Sequence, residues 1–232
     1  MVLVPKKNGT SRLCVDYRRL NAVTVKDAYP FPSIEEIISN LGKAKYFTTL
    51  DASKGYLQVE MSPGDESKTA FVCHRGLFEF TRMPFGLTGA PMTFQRLIDG
   101  VLGDAKWQHA LAYLDDIIVY SETFEDHLRH LEDVLRKLQI AGLTLNPTKA
   151  QIGASEISLL GFRIERGKVS PDADKLRAIL EFPVPTDVGG VRRFLGMIGY
   201  YRAYIPNCAA MQAPLTQLLR KAAPWSWEAP QE

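Results

Sequence analysis

Residues 112–120 decide the fold, and they read Ala-Tyr-Leu-Asp-Asp-Ile-Ile-Val-Tyr. Two adjacent carboxylates, Asp115 and Asp116, interrupt a run that is otherwise almost wholly apolar. Such a run predicts two buried strand arms, 110–114 and 117–120, with the acidic pair at the bend between them. Asp-Asp fits a two-residue hairpin turn poorly, because these turns favour Asn-Gly, Asp-Gly or Gly-X. Two interpretations therefore stand: an acidic hairpin turn, or a site where a divalent cation compensates two carboxylates that repel each other.

A second acidic residue, Asp51, ends another predicted strand. The β-branched and aromatic run 46–50 is typical of a strand, and residues 56–61 alternate in polarity as a further strand would. If the strand before Asp51 lies beside the 110–120 hairpin, three carboxylates converge at one edge of a sheet. Together with substrate phosphates they would hold two Mg²⁺ ions, the arrangement that serves in-line phosphoryl transfer. Periodicity by itself does not tell which strands are neighbours.

Composition bounds the remaining possibilities. The 232 residues are 46% apolar and 23% charged, which is typical of a globular chain with one larger domain or two small ones. The formal net charge is only +2, so a nucleic-acid partner has to be inferred from local clusters rather than from the whole chain. Three scattered cysteines favour a reducing compartment over a disulfide framework. The sequence contains no apolar run of the ~20 residues that a membrane span needs, and we expect an intracellular protein.

One basic cluster lies near the N-terminus. Residues 2–19 predict two strands joined at Asn8-Gly9, a favourable hairpin turn. Its cations are Lys6, Lys7, Arg12, Arg18 and Arg19. By charge alone a solvated hairpin face is the favoured interpretation, with a phosphate grip as the alternative.

Helices and further hairpins are predicted along the rest of the chain. A capping box begins a helix at Ser33, a helix over about 91–102 follows a glycine-containing loop, and residues 125–141 form an amphipathic helix. A hairpin is expected over 68–81. Helices are expected from Ser170-Pro171-Asp172 onward, with proline in the first turn, and over 187–204. His127 and His130 are better explained as a solvated helix face than as a metal pair.

Four ordered motifs together resemble the reverse transcriptase of gypsy-class LTR retrotransposons, which are relatives of the retroviral enzymes. The motifs are Leu50-Asp51-Ala52-Ser53-Lys54-Gly55-Tyr56, Met83-Pro84-Phe85-Gly86-Leu87-Thr88-Gly89-Ala90-Pro91, Tyr113-Leu114-Asp115-Asp116 and Leu159-Leu160-Gly161-Phe162. The resemblance covers nearly the whole chain. It implies an α+β right-hand polymerase with fingers, a palm built on an antiparallel sheet and a short helical thumb.

The resemblance also implies a role for particular residues. Asp51, Asp115 and Asp116 would be catalytic and, with the Ala52 backbone, would bind two Mg²⁺ ions, or Mn²⁺ in their place. Side chains around the incoming dNTP would be Lys6, Lys7, Arg12, Tyr56, Phe85 and Lys149, with Tyr56 excluding a 2′-hydroxyl. Residues at the primer and template would be Tyr113, Leu114, Leu160, Gly161 and Phe162. The last three would lie in a hairpin over 157–164. Retroviral enzymes usually carry glutamine where this chain has Phe85.

The implied domain organisation places fingers and palm in residues 1–166. Fingers would be about 1–27 and 58–89, and palm about 28–57 and 90–166. A helical thumb would follow over 167–222 and the start of a linker towards a ribonuclease H domain over 223–232. Arginines 192, 193 and 202 suit a thumb on a duplex backbone, although a helical cap on the sheet would also explain these helices.

The expected reaction is template-directed dNTP addition on an RNA or DNA template with a primer, within a Pol polyprotein that also carries ribonuclease H and integrase regions. A retrotransposon particle in the cytoplasm is the location that the resemblance implies. The alternative is a truncated or decayed fragment that binds nucleic acid without catalysis, since by the resemblance Met1 falls where the family's fingers have already begun. An RNA-templated RNA polymerase is disfavoured, because bulky Tyr56 would close a ribonucleotide gate.

Overall fold

The computed structural model describes residues 2–5, 9, 11–221 and 224–231, and for Val2 and Arg12 it describes the backbone only. The chain divides into two units. The first consists of Met1–Ile157 and Glu165–Gly167, and the second of Ser158–Ile164 and Lys168–Glu232.

The described residues form β-strands, α-helices and short 3-10 helices. The strands are β1 (Val2–Pro5), β2 (Ser11–Cys14), β3 (Tyr46–Asp51), β4 (Phe71–Cys73), β5 (Gly76–Phe78), β6 (Ala110–Tyr113), β7 (Asp116–Ser121), β8 (Gln151–Ala154), β9 (Glu156–Leu159), β10 (Phe162–Glu165) and β11 (Lys168–Pro171). The helices are α1 (Arg18–Val23), α2 (Ile34–Leu41), α3 (Ala90–Leu102), α4 (Phe124–Ile140), α5 (Ala173–Leu180), α6 (Val188–Tyr200) and α7 (Cys208–Gln217). Short 3-10 helices connect them, among them Gly55–Gln58.

A four-stranded sheet of order β6-β7-β3-β8 forms the centre of the first unit. Strand β3 pairs antiparallel with β7, and β7 pairs antiparallel with β6. Two hairpins, β1-β2 and β4-β5, form separate two-stranded sheets. In the second unit β11, β10 and β9 form a three-stranded sheet, and α5, α6 and α7 follow it.

Helices α3 and α4 pack their apolar residues against the central sheet. The buried cluster between them contains residues of all three elements: Leu50, Ala112, Ile117 and Val119 from the strands, Phe94, Ile98 and Leu102 from α3, and Leu131, Val134 and Leu138 from α4. A fully buried Leu, Ile, Val or Phe side chain contributes about 1.5–3 kcal/mol to the free energy of folding. The same packing fixes the orientation of the sheet edge at which β6 ends and β7 begins.

Most elements with strong periodicity agree with the sequence prediction. Ser33 caps α2 with the reciprocal bond from Glu36 that the capping box requires. Helices α3 and α4 begin and end within one residue of the expected bounds, and the hairpins β4-β5 and β9-β10 are present. The three cysteines are free thiols. In the described part of the chain, we find no helix long and apolar enough to cross a bilayer.

Three sequence predictions are wrong in detail. Residues 56–61 do not form a strand, because local bonds such as Leu57 N to Lys54 O make a 3-10 helix, and pairing with residues 81–83 starts only at Val59. Asp172, not Ser170, caps α5, and Pro171 ends β11 instead of beginning the helix. The helix predicted over 187–204 ends at Tyr200 and is followed by a 3-10 turn.

Four elements were not predicted, namely α1, β8, β11 and α7. Helix α1 buries none of its residues, so it lacks an apolar stripe. Strand β8 pairs with β3 at irregular register, which weakens any alternation. Helix α7 contains Pro214 and has apolar residues all around it, so it shows little helical periodicity.

Candidate active site

The central sheet brings two acidic residues into direct cross-strand register. Asp51 is the last residue of β3 and Asp116 the first of β7, and the antiparallel pairing sets them opposite each other. Side chains in such a pair have Cβ atoms about 4.5–5.5 Å apart, and like charges there are destabilising. The expectation that the strand before Asp51 neighbours the acidic hairpin is therefore confirmed.

Asp115 lies in the turn between β6 and β7. Strand β6 ends at Tyr113, which pairs with Asp116, so the two turn residues are Leu114 and Asp115. The prediction that both acidic residues form the bend is wrong by one residue, because Asp116 belongs to the ladder. Leu114 takes a positive φ of 55°, which is unfavourable for a branched side chain. The backbone N–H of Ala52 donates to the Asp115 carbonyl oxygen over 3.2 Å and ties the turn to the end of β3.

Gly55 allows Asp115 to approach the body of the first unit. A Cβ atom at position 55 would lie 2.8 Å from Asp115 Oδ1 and 3.2 Å from the ring of Phe94. Gly55 follows Lys54, whose positive φ of 55° turns the chain after β3. The Asp51-Ala52-Ser53-Lys54-Gly55 sequence thus ends a strand, turns, and leaves room for a carboxylate of the next hairpin.

The surroundings of Asp116 raise the pKa of its carboxyl group. The surrounding protein atoms and the negative charge of Asp51 raise the pKa of Asp116 above its ordinary value, although the Asp116 side chain is solvent-exposed on one side. Lys149 opposes this increase. Its Nζ lies 2.9 Å from Asp51 Oδ1, which is the arrangement expected of a lysine beside acidic residues. One lysine against three carboxylates leaves a net negative site that favours a cation.

A cleft of about 540 Å³ opens at this edge of the sheet. Its lining includes Asp51, Ala52, Asp115 and Lys149 together with Phe85. Leu13 and Val15, from the end of the first hairpin, also face this cleft. The cleft is large enough for a ligand of nucleotide size, since small-molecule sites span about 300–1,000 Å³.

Tyr56 belongs to an aromatic cluster beside the cleft. Its ring lies 5.4 Å from that of Phe85 and 5.6 Å, edge-on, from that of Phe94. Burial and the charge of Asp115 raise the pKa of the Tyr56 hydroxyl. Phe94 is fully buried, so the cluster holds Tyr56 in place from the core side. Tyr56 and Phe85, which the sequence analysis placed near the nucleotide, are therefore neighbours in the structure.

The edge of the sheet at this cleft offers hard oxygen atoms to a metal ion. The donors are the three carboxylates and the carbonyl of Ala52, which also accepts a bond from Gly55 N at 3.2 Å. Oxygen donors of this kind suit Mg²⁺. Among the residues that the structure describes, no three His, Cys, Asp or Glu side chains form a ready-made metal cluster. At sites of this kind, substrate phosphates usually complete the coordination of Mg²⁺.

Several predicted residues lie elsewhere or outside the described residues. Lys6 and Lys7 are outside them, as is the side chain of Arg12. Leu160, Gly161 and Phe162 belong to the second unit, where Leu160 and Gly161 form the β9-β10 turn with φ of 50° and 78°.

That turn is tied to α6 within the second unit. Tyr200 Oη donates to Leu160 O at 2.5 Å and Tyr201 Oη donates to Gly161 O at 3.0 Å. A Cβ at position 161 would lie 2.8 Å from the Tyr201 hydroxyl, which explains the glycine. The ring of Phe162 packs against those of both tyrosines.

Two residues at the site were missed by sequence reasoning. Asn146 lines the cleft, and its backbone N–H donates to Asp51 O over 2.8 Å. Gln95, on α3, accepts a bond from Leu114 N over 2.9 Å. The available signal was a polar pair, Gln95 and Asp99, at i,i+4 spacing among the apolar residues of that helix.

The histidines of α4 do not lie on a solvated face, so that prediction is wrong. His127 is 1% exposed, and its ring nitrogens lie 2.7 Å from Thr48 Oγ1 and 3.2 Å from Ser121 Oγ. His130 Nδ1 lies 2.7 Å from the same Ser121 hydroxyl, and its ring stacks on that of His109. Hydrogen bonds to β3 and β7 thus hold this side of α4 on the sheet.

Comparison with protein families gives one match over most of the chain. The model for reverse transcriptase (RNA-dependent DNA polymerase) matches residues 4–164. Among curated proteins, the retrovirus-related Pol polyprotein from transposon opus of Drosophila melanogaster is 44% identical over 218 residues, and that from transposon 297 is 42% identical over 224. The transposon Tf2-3 polyprotein of Schizosaccharomyces pombe is 37% identical over 227 residues. These alignments cover 93–98% of the chain but only 17–22% of each relative.

Solved structures give the same result at the level of the fold. A foamy viral protease-reverse transcriptase in complex with double-stranded DNA matches with a TM-score of 0.88 and 26% identity, over 98% of this chain and 40% of that one. The foamy viral enzyme in complex with an RNA/DNA hybrid matches with a TM-score of 0.80 and 25% identity, over 99% of this chain and 31% of that one.

Proposed function

This chain belongs to the reverse transcriptase family, and on that premise we propose that it is the RNA-directed DNA polymerase part of a retrotransposon Pol polyprotein. Family and fold likeness confirm the predicted α+β polymerase fold. One observation carries the proposed activity: Asp51 faces Asp116 across the β3-β7 ladder, and Asp115 lies in the adjoining turn at the edge of a nucleotide-sized cleft.

The proposed reaction is attack of a primer 3′-hydroxyl on the α-phosphorus of a dNTP, with pyrophosphate as the leaving group. Divalent cations, when bound, lower the pKa of that hydroxyl and stabilise the charge that develops on the phosphate oxygens. Asp51, Asp115, Asp116 and the Ala52 carbonyl are the proposed donors that would hold two Mg²⁺ ions there. Asp116 adds negative charge at the same edge, and Lys149 balances part of it through its contact with Asp51.

The nucleotide would lie in the cleft beside Tyr56 and Phe85. The packing of Tyr56 against Phe94 supports a gate role, because a ring held from behind cannot move aside for a 2′-hydroxyl. Lys6, Lys7 and Arg12 are proposed triphosphate contacts, for which the fingers hairpin of the resemblance is the support. Arginine and lysine are the side chains that bind phosphate most favourably.

The primer end would contact Tyr113 and Leu114, which precede the acidic pair on the same hairpin. Leu160, Gly161 and Phe162 are proposed as a primer grip, and the tyrosine bonds to their turn support it, because they fix its conformation. Fingers and palm within residues 1–166 and a thumb over 167–222 remain our proposed subdomains.

The proposed partners are an RNA or DNA template with its primer, and a dNTP. The relatives are Pol polyproteins of which this chain spans about a fifth in the two fly cases, so ribonuclease H and integrase regions are proposed as neighbours in the full protein. A cytoplasmic retrotransposon particle is the proposed location.

A second function, nucleic-acid binding without catalysis, is the alternative to be tested. Primer extension on poly(rA)/oligo(dT) with dTTP and Mg²⁺ separates the two. The parent is compared with Asp115→Asn, which keeps the shape of the side chain and removes its charge. Asp104→Asn is the matched control, because Asp104 is an exposed residue that pairs with Lys137 on α4.

We expect extension by the parent and by Asp104→Asn, and a loss of at least about 100-fold in Asp115→Asn. Duplex affinity should be the same in all three proteins. Extension that persists in Asp115→Asn would contradict the proposed site. Duplex binding without extension in the parent would replace the polymerase proposal with the binding function.

A further inference from the structure

Gln95 is a buried polar side chain in contact with the hairpin that carries the acidic pair. It lies on α3, is 0% exposed, and is surrounded by the apolar residues of that helix. Its amide Nε2 donates to Ala112 O on β6 over 2.9 Å, and its Oε1 accepts from Leu114 N over 2.9 Å. A single side chain therefore bonds the strand before the turn and the turn itself.

The orientation of the Gln95 amide is fully determined by its partners. Its third bond runs from Nε2 to Asp99 Oδ1 over 3.0 Å, so both amide hydrogens are used. Ala112 O and the Asp99 carboxylate only accept, whereas Leu114 N–H only donates. If the amide were flipped, its oxygen would face the Ala112 and Asp99 oxygens, and its NH₂ group would face the Leu114 N–H. The oxygen of Gln95 is therefore held facing the N–H of Leu114.

That N–H belongs to the residue with the unfavourable backbone. Leu114 has a positive φ of 55° where a two-residue turn usually places glycine. A branched side chain remains in this conformation only when surrounding contacts require it. The bond from Gln95 and the packing of the hairpin supply such contacts directly at residue 114.

Asp99 is itself held by groups from two other segments. Its Oδ2 accepts from Tyr29 Oη over 2.7 Å and from Lys106 Nζ over 2.6 Å. The guanidinium of Arg96 lies over the Tyr29 ring at 4.9 Å. The ring of Phe31 lies 6.0 Å from that of Tyr113, the residue before Leu114. The segment before α2 therefore contacts the acidic hairpin both directly and through Asp99.

We propose that Gln95, held by Asp99 and Tyr29, is a positioning residue that fixes the β6-β7 turn and so keeps Asp115 and Asp116 in place opposite Asp51. The proposal rests on the polymerase function for its catalytic consequence only, since the hydrogen bonds act on the turn whatever the reaction is. Neither Gln95 nor Asp99 lines the cleft, so the network acts through the backbone of Leu114 and not on a ligand.

The first test is Gln95→Met, which keeps the length of the side chain and removes all three hydrogen bonds. Hydrogen exchange of the peptide that contains Leu114 to Asp116, measured without nucleotide or metal, reports the turn itself. We expect exchange of that peptide to become at least about tenfold faster, because a bonded buried N–H opens to solvent. In primer extension we expect kcat to fall about 10- to 100-fold with the KM for dTTP and the duplex Kd within about twofold.

Val134→Ala is the matched control for lost stability. Val134 is a fully buried residue of α4 that packs in the same core, and it has no hydrogen bond to the turn. We expect this variant to lower the unfolding temperature while exchange of the 114–116 peptide and kcat stay near parental values. If Val134→Ala accelerates exchange and lowers kcat as much as Gln95→Met does, the effect is general destabilisation and the proposal is overturned.

Asp99→Asn and Tyr29→Phe test whether the network acts through Gln95, and they keep the proposal testable if Gln95→Met does not fold. Each should accelerate exchange of the 114–116 peptide above the parental rate, though less than Gln95→Met does. Parental exchange in both variants would overturn the role of the network. The double variant Gln95→Met with Asp99→Asn should exchange the 114–116 peptide at the same rate as Gln95→Met alone. If Asp99 acts only through Gln95, its substitution has no further effect once Gln95 is replaced. Additive effects would overturn the assignment of Asp99.

Two outcomes separate this proposal from the polymerase function. Parental exchange in Gln95→Met would overturn the positioning role even if the parent extends primers. Faster exchange of the turn in Gln95→Met, with no extension by the parent, would support the positioning role and contradict the proposed activity.

Discussion

Leu114, Gly55 and Tyr56 show how single residues set the geometry of the cleft. Leu114 holds a left-handed backbone conformation at the acidic turn. Gly55 leaves the space that Asp115 Oδ1 requires, since a Cβ there would approach it to 2.8 Å. The ring of Tyr56 packs on Phe94 and on Phe85, which lines the cleft. Each of these features belongs to one residue, so a point substitution can test it.

Tyr56→Val tests the gate at the scale of one residue. Removal of the ring opens space beside the proposed sugar position, so we expect incorporation of rNTP relative to dNTP to rise about 10- to 200-fold. Competitive primer extension with dTTP and UTP measures this ratio. Tyr46→Val is the control, because the Tyr46 ring packs against those of Phe124 and His127 and not against Phe85. An unchanged ratio in Tyr56→Val would contradict the proposed gate, and a high rNTP ratio in the parent would favour an RNA polymerase.

At the scale of elements, helix α4 is joined to the sheet by a polar seam, which consists of His127 and His130 with Thr48 and Ser121. His127 contacts Thr48 of β3 and Ser121 at the end of β7, and His130 contacts the same serine. Beside them His109 stacks on His130 and lies 3.1 Å from Asp133 Oδ2. Burial lowers the pKa of both His127 and His130 below the ordinary value. The second cause is the charge of a neighbouring histidine, which is His130 for His127 and His109 for His130.

This seam predicts that the protein loses stability in acid. The unfolded chain takes up protons at its ordinary histidine pKa near 6.5, whereas folded His127 and His130 resist protonation. The stabilisation is therefore complete above that pH and is lost as the pH falls through the lower folded values. Urea unfolding of the parent at pH 7.5 and 5.5 should show the decrease.

His127→Gln should reduce that pH dependence, because it removes the most buried of the titrating groups. His74→Gln is the matched control, since His74 is exposed in the β4-β5 turn. Its unfolding free energy should change with pH as the parent's does. Equal pH dependence in His127→Gln and the parent would show that the seam does not govern acid stability.

At the scale of the whole molecule, charge is distributed unevenly although its sum is small. The formal net charge of +2 comes from 28 basic and 26 acidic residues. The first unit carries the acidic cleft, while Arg192 and Arg193 are exposed side by side on α6 of the second unit. Duplex binding through phosphate contacts would therefore depend on local clusters such as this one and not on the net charge.

The double variant Arg192→Gln with Arg193→Gln tests this cluster. We expect the slope of log Kd against log salt for a primer-template duplex to decrease by about 1 for each arginine that contacts phosphate. Arg129→Gln with Arg136→Gln is the control, because it removes the same charge from α4, where both arginines pair with acidic residues. Equal slopes in the two double variants would contradict a specific role for α6 and indicate an effect of net charge only.

The sequence by itself determined the elements whose signal is local. Strong alternation or helical periodicity, with capping residues and turn glycines, predicted β3, α2, α3 and α4. The ordered motifs indicated the reverse transcriptase family and pointed to Asp51, Asp115 and Asp116 as one set. Weak or absent periodicity explains why α1, β8 and α7 were missed, and local 3-10 bonding explains the wrong strand at residues 56–61.

Only the tertiary structure decided which distant residues meet. The facing of Asp51 and Asp116 depends on the strand order β6-β7-β3-β8, and periodicity carries no information about strand order. His127 is hydrogen-bonded to Thr48, which lies 79 residues earlier in the chain, and Asp99 is hydrogen-bonded to Tyr29, which lies 70 residues earlier. The physical reason is that hydrogen bonds form between groups brought together by packing, whereas a sequence pattern reports only the face that each element buries.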